Sequence, residues 1–244
     1  MRIFLILIAY LIINVTPVFA ALDIDVSEPN LEITTGFSGD TLTLFGTANP
    51  RGDIVIIVRG PLKKTNVVKK ADIMGLWIQG ETISFVNVPS YYNVASTRPV
   101  FQIAPEEIRI ENNIGINSLQ FATNDKNIQT DVKQQFQEAL IQNKQLSGLY
   151  SLTPNAITFV NETLFKTKIY MPSNVPIGQY EINAFLFDNG QIIDTQSRPF
   201  EIRQGGLAGA IHDYANDSPL LYGLTTIAIA LLSSLIAVTL LRRE

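Results

Sequence analysis

The run "LLYGLTTIAIALLSSLIAVTLL", residues 220–241, contains no charged side chain. At a rise of about 1.5 Å per residue it makes about 33 Å of helix, enough for a hydrocarbon layer of about 30 Å. A buried soluble helix that is apolar all round would need partner helices on every face, and no second stretch of this kind follows the mature start. The run therefore predicts one transmembrane helix at 220–241. "RRE" follows it as a tail at 242–244, while Asp213 and Asp217 precede it. Lys and Arg beside a span stay in the cytoplasm, so the tail is expected inside and residues 21–217 outside.

The other end points the same way. Arg2 precedes the apolar run "IFLILIAYLII", and "NVTPVFA" follows with Val18 and Ala20 at the positions a signal peptidase reads. Residues 1–20 are expected to be a signal peptide. The alternative, a retained N-terminal anchor, needs about 20 apolar residues, and Asn14 and Pro17 interrupt it early.

Between these ends lies an exported part, 21–203, with its own constraints. The chain has no cysteine, so a hydrophobic core rather than disulfides must stabilise it, and thiol chemistry and thiolate metal sites are excluded. Acidic residues outnumber basic ones, 22 to 18, and three of the basic ones (Arg2, Arg242, Arg243) belong to the ends. Such a surface has no electrostatic footprint for nucleic acid.

Strand signals dominate the first eighty residues. "LEIT", "TLTLFGTA", "DIVIIVRG" and "ETISFVNV" are short, rich in β-branched residues and bounded by Gly, Pro, Asn and Asp. In "TLTLF", Leu42 and Leu44 alternate with threonines, as in a half-buried strand. "IVIIV", 54–58, is apolar throughout and reads as a central strand covered on both faces. From about 104 to 148 the period becomes helical. Pro105, Glu106 and Glu107 suit a first helical turn, Val132, Phe136 and Leu140 share one helix face, and Gly148 stops the pattern.

Strands return in "LFKTKIYMPSNVPIGQYEINAFLFDNGQIIDTQSRPFEI". Two alternating segments are followed by Asn189-Gly190, the strongest short hairpin signal. A strand, a Pro-x-Gly corner and an early Tyr resemble the closing strands of an immunoglobulin-like sandwich. The expected fold is mainly β with a helical insertion: an immunoglobulin-like β-sandwich ectodomain plus one C-terminal transmembrane helix. The alternative is two small β domains, suggested by "NVP" at 87 and again at 174, each followed by a Tyr. Residues 204–219 form a juxtamembrane linker in which Leu207, Ile211 and Tyr214 have helical spacing.

No catalytic set emerges. The one histidine, His212, sits in that linker, where a Ser-His-Asp arrangement would not form. One His and no Cys make no zinc site, and "DNGQIID" lacks the ligand pattern of a calcium loop. The expectation is no enzyme, no cofactor and no metal. "KKTNVVKK", 63–70, reads either as an exposed hairpin whose lysines discourage edge pairing or as a contact for anionic lipid or ligand. The candidate partner or ligand surface comprises Arg59, Trp77, Tyr91, Tyr92 and Arg98, residue types that anchor interfaces or fill cores. Consecutive strand residues face opposite sides, so one of Tyr91 and Tyr92 should enter the core and the other face solvent or a partner.

"GFSGDTLTLFG", "DIVIIVRGP", "GLWI", "VPSYYNVASTRP", "LFKTKIYMPSNVPIGQY" and "HDYANDSPLLYG" together resemble a family of proteobacterial transmembrane proteins without an assigned activity. The resemblance implies a bacterial inner-membrane protein, single-pass, with its N-terminal domain in the periplasm. It also implies an association with permeases resembling sulfite or organosulfonate exporters. The function expected on that ground is a non-enzymatic accessory protein, anchored to the lipid bilayer through 220–241 and partnering an integral membrane transporter. A periplasmic small-anion-binding or sensing domain is the alternative, and a hydrolase comes third.

Overall fold

The computed structural model describes residues 22–48, 52–73, 76–125 and 128–241. The expected signal segment 1–20 and Arg242 and Arg243 lie outside the described residues.

The protein is mainly β, with a helical insertion and one apolar C-terminal helix. The strands in chain order are β1 (Leu22–Val26), β2 (Asn30–Ile33), β3 (Gly39–Ala48), β4 (Asp53–Arg59), β5 (Leu62–Ile73), β6 (Leu76–Pro89) and β7 (Tyr92–Ser96). The insertion follows with helices α1 (Val100–Ile103) and α2 (Glu106–Glu111), the short strand β8 (Ala122–Thr123) and helix α3 (Thr130–Leu146). Strands β9 (Asn155–Ala156), β10 (Thr158–Phe159), β11 (Leu164–Pro172), β12 (Gly178–Asp188) and β13 (Gln191–Gln204) complete the sheets. Two helices, α4 (Gly206–Asp217) and α5 (Pro219–Leu241), end the chain. The helical stretch begins at Val100, a few residues before the change of period at 104.

Three sheets form. The first has the order β1-β3-β11-β10, the second β2-β13-β12-β4-β7-β9, and the third β5-β6-β8. Burial explains why β4 lies inside the second sheet. Its residues 54–58 are all buried, and alternate side chains enter two different cores. Ile54, Ile56 and Val58 pack with Leu42, Leu44, Phe165 and Ile169 of the first sheet. Val55 and Ile57 join Phe185 and Phe187 in a second cluster with Ile103 of α1, Phe136 and Leu140 of α3, and Phe85 of β6. The insertion thus supplies apolar cover for the far face of the central sheet.

Two turns fix the strand order. Asn189 and Gly190 both have positive φ (49° and 81°) between the paired residues Asp188 and Gln191, as a two-residue I′ hairpin requires. Near the start of β12 the Tyr180 hydroxyl donates to the Pro176 carbonyl at 2.6 Å and closes the Pro-x-Gly corner. Beyond Gly60-Pro61 and Ser90-Tyr91 the β4/β7 pair continues as the β5/β6 ribbon, held by Gly60 N–H to the Tyr91 carbonyl (2.8 Å) and Ser90 N–H to the Pro61 carbonyl (2.9 Å). A Cβ at Gly60 would be crowded, 3.0 Å from both the Tyr91 Cβ and the Tyr180 ring and 2.8 Å from the Ser90 Oγ.

The C-terminal helix is long and apolar enough to cross a membrane over Pro219–Val238, and none of that stretch is buried. Three of its hydroxyls are satisfied within the helix: Thr225, Thr226 and Ser233 donate to carbonyls three residues back at 2.8–2.9 Å, which suits an environment without water.

Candidate functional site

β7 leaves the ribbon corner with Tyr91 and Tyr92 in succession, and the two rings point to opposite faces of the central sheet. Tyr91 enters the first core, 6.0 Å from the Tyr180 ring, and its hydroxyl donates to the Tyr170 carbonyl at 2.9 Å. Tyr92 enters the second core, 5.9 Å from the Tyr150 ring. Its hydroxyl donates to the Asn113 carbonyl (2.7 Å) and accepts from Gly115 N–H (2.9 Å). Tyr150 in turn donates to the Pro89 carbonyl at 2.7 Å. Burial raises the pKa of all three phenols above the ordinary value, because the anion would lose its hydration.

The alternation is as expected, yet the expectation that one tyrosine faces solvent or a partner is corrected. Tyr91 is 1% exposed and Tyr92 0%. The segment after β7 folds back over the face that Tyr92 occupies, so both sides of the sheet are interior.

The two arginines are not brought together. Arg98 forms a two-pronged ion pair with Asp53, one prong being Nε to Oδ1 at 2.9 Å and the other Nη2 to Oδ2. The Thr97 hydroxyl donates to the same carboxylate at 3.0 Å. The Arg98 hydrogen bonds hold the Asp53 carboxyl below its usual range, against the opposing effect of partial burial. Arg59 lies at the other end of β4, six residues and thus about 20 Å away. It donates from Nη2 to the Asn112 carbonyl at 2.8 Å, and its Nε is buried without a partner. Trp77 lies on β6 across from Asp72, and its side chain is outside the described ones. Lys63, Lys64 and Lys69 are exposed along β5.

One cavity of about 550 Å³ opens beside β7 and β9, lined by Arg98, Phe101, Arg109, Asn117, Gln145 and Leu152 among others. Arg109 was missed by sequence reasoning. In the last turn of a short helix a basic residue reads as a complement to the helix dipole, and only the fold turns it into the cavity, where its Nε is buried without a partner. Arg98 reaches the same cavity with its charge already answered by Asp53. No group of three or more His, Asp or Glu suited to a metal occurs among the described residues. His212 lies exposed on α4, its Nε2 3.0 Å from the Asn216 amide.

A family model described as "Putative transmembrane protein (Alph_Pro_TM)" matches residues 21–243, which takes in all three sheets, the insertion and the apolar helix. The chain belongs to the Alph_Pro_TM family. No curated protein and no solved structure matches it. In this Alph_Pro_TM protein the apolar helix α5 and the bilayer association it suggests agree with the family description.

Proposed function

We propose that this Alph_Pro_TM protein is a non-enzymatic accessory protein of the bacterial inner membrane. Its β-rich part lies in the periplasm, its C-terminus in the cytoplasm, and it partners a permease for sulfur-containing anions. The observation that carries the reading is the short, ordered coupling between sheet and span. β13 ends at Gln204, α4 starts at Gly206, and Ser218 alone separates α4 from α5. The Tyr214 and Tyr222 rings meet edge-on across that junction, 5.9 Å apart. A domain that only needed to be kept at the membrane would do with a loose tether, whereas a subunit of a membrane complex benefits from a set height and orientation.

Purification of the tagged full chain from native membranes in lipid nanodiscs tests this. A permease recovered repeatedly, and lost when a flexible Gly-Ser segment is inserted at Ser218, is the expected result. Recovery of the chain without any integral membrane partner overturns the accessory role, and a reporter fused at residue 205 that is active in the cytoplasm overturns the orientation.

The cavity at Arg109 favours a second reading, a small-anion site in which the Arg109 guanidinium meets a sulfonate or carboxylate against Phe101 and Leu152. Calorimetric titration with a simple alkyl sulfonate should show binding that Arg109→Gln abolishes. The absence of heat with the unaltered chain sinks this reading.

A further inference from the structure

The chain leaves the β-rich part at one end of the central sheet, where Gly205 N–H donates to the Ile33 carbonyl at 2.9 Å. Strand register brings several other segments to the same level. Gly178 lies opposite Ile202, Arg59 opposite Glu181 and Tyr92 opposite Arg59, while in the first sheet Pro172 lies opposite Gly39. Direct contacts join their turns. Gly178 sits so close to Pro61 that a Cβ there would be 2.7 Å from the ring. The Asn174 amide donates to the Ser147 carbonyl at 3.0 Å, and Tyr92 N–H donates to the Leu149 carbonyl at 2.9 Å.

This end presents large apolar side chains to solvent: Leu146 is 90% exposed, Leu62 59% and Ile177 53%. Lys63, Lys64 and Lys144 stand among them, and none forms an ion pair among the described residues. Lys63 is near enough that its charge adds to burial in lowering the Lys144 pKa. Of the acids at this level, Glu32 pairs with Arg203 at 2.9 Å, Glu181 accepts from the Ser197 hydroxyl and Asp40 from Thr41 N–H, while Glu201 forms no ion pair among the described residues. At the opposite end of the sheet, around the Asn189-Gly190 hairpin, lie Asp188 and Asp194, with Asp53 paired to Arg98.

We propose that the end carrying Leu62, Leu146 and Ile177 rests on the bilayer, with these side chains among the headgroups and Lys63, Lys64 and Lys144 against anionic lipid. The proposal rests on α5 crossing a bilayer and not on the permease reading. What identifies the occupant is the length of chain left. The 12 residues of α4 span about 18 Å as a helix, so the apolar end is held no further than that from the start of the span. The headgroup layer alone takes up about 5–7 Å of that distance. An apolar cluster ringed by lysines matches a surface with an acyl boundary beneath a layer of negative charge.

The lack of cysteine makes the test direct. A single cysteine replaces Leu146, Ile177 or, at the far end about 30 Å along the strands, Ile193. Each is labelled with a fluorophore in the full chain. The labelled chains enter nanodiscs of phosphatidylcholine alone or with one quarter phosphatidylglycerol, both containing lipid with a headgroup nitroxide quencher. The expected result is severalfold stronger quenching at 146 and 177 than at 193, increased by the anionic lipid and reduced in 0.5 M salt. Lys63→Gln and Lys64→Gln should each lower the ratio of docked to undocked chains about fivefold, with an unchanged unfolding temperature showing that the fold is intact. Equal quenching at the two ends overturns the proposal. So does quenching at 146 that ignores lipid charge, salt and both lysines, or that appears only with two chains per disc.

Discussion

Removing one oxygen from Tyr92 should destabilise the protein more than removing the same oxygen from Tyr91. Both rings are fully buried, so Tyr→Phe leaves the packing intact at each site and no cavity term arises. The hydrogen-bond inventories differ. The Tyr92 hydroxyl satisfies the Asn113 carbonyl and Gly115 N–H, which flank a turn with positive φ at both residues (52° and 93°). The Tyr91 hydroxyl satisfies one backbone group, the Tyr170 carbonyl, and also meets the Asn93 side chain. A buried group left unpaired costs about 1–3 kcal/mol, so Tyr92→Phe should lose about 3 kcal/mol and Tyr91→Phe about 1 kcal/mol. For a folded part of this size that means falls in Tm of about 6–12 °C and about 2–4 °C. Thermal unfolding of the full chain in detergent, followed by circular dichroism, measures both. Amide exchange adds a local readout: Tyr92→Phe should speed exchange around 113–119, and Tyr91→Phe should not. If the two variants melt together, or if Tyr91→Phe is the worse, the hydroxyl of Tyr92 does not hold that turn and the reasoning fails.

The Asp53 carboxyl is depressed by Arg98 in the folded state, so its contribution is present above the ordinary carboxylate range and lost as pH falls through the depressed value. Asp53→Asn should therefore flatten the acid limb of the stability profile, which denaturant titration between pH 2 and 6 would show. Gly46→Ala should cost at least about 1–3 kcal/mol, because a Cβ there would lie 2.2 Å from the Asp23 backbone carbonyl and 2.6 Å from the Phe165 ring; wild-type stability would disprove that close approach. Gly190→Ala should cost about 1–2 kcal/mol through its positive φ, read as a fall in Tm with little change in the spectrum at 25 °C. Removing Arg242 and Arg243 should weaken the orientation of the span, scored as a mixed population in a two-reporter topology assay.

Local physics determined much of this chain from its sequence. A charge-free run of 22 residues can only be satisfied by lipid or by many partner helices, so α5 was legible as a span. Five consecutive apolar residues in a strand need cover on both faces, which placed β4 at the centre. Asn189-Gly190 selected its own turn, and the spacing of Phe136 and Leu140 selected the buried face of α3. In each case the signal is confined to the element it describes.

What only the tertiary structure decided depends on residues far apart in the chain. Period-two alternation says that Tyr91 and Tyr92 point apart, but what waits on either side is set by an insertion folding back. Tyr92 meets Asn113 across 21 positions, Arg59 meets Asn112 across 53, and Arg98 meets Asp53 across 45. Those pairings turned two interface-type tyrosines into core residues, kept the two arginines of the candidate surface apart, and left Arg109 lining a cavity. The register of β12 with β13 and β4 likewise collected Leu62, Leu146 and Ile177 at the end where the chain departs for the membrane. Side-chain identity fixes what a residue can do; which groups it meets follows from the closure of long loops, where the energy of the whole core outweighs any local preference.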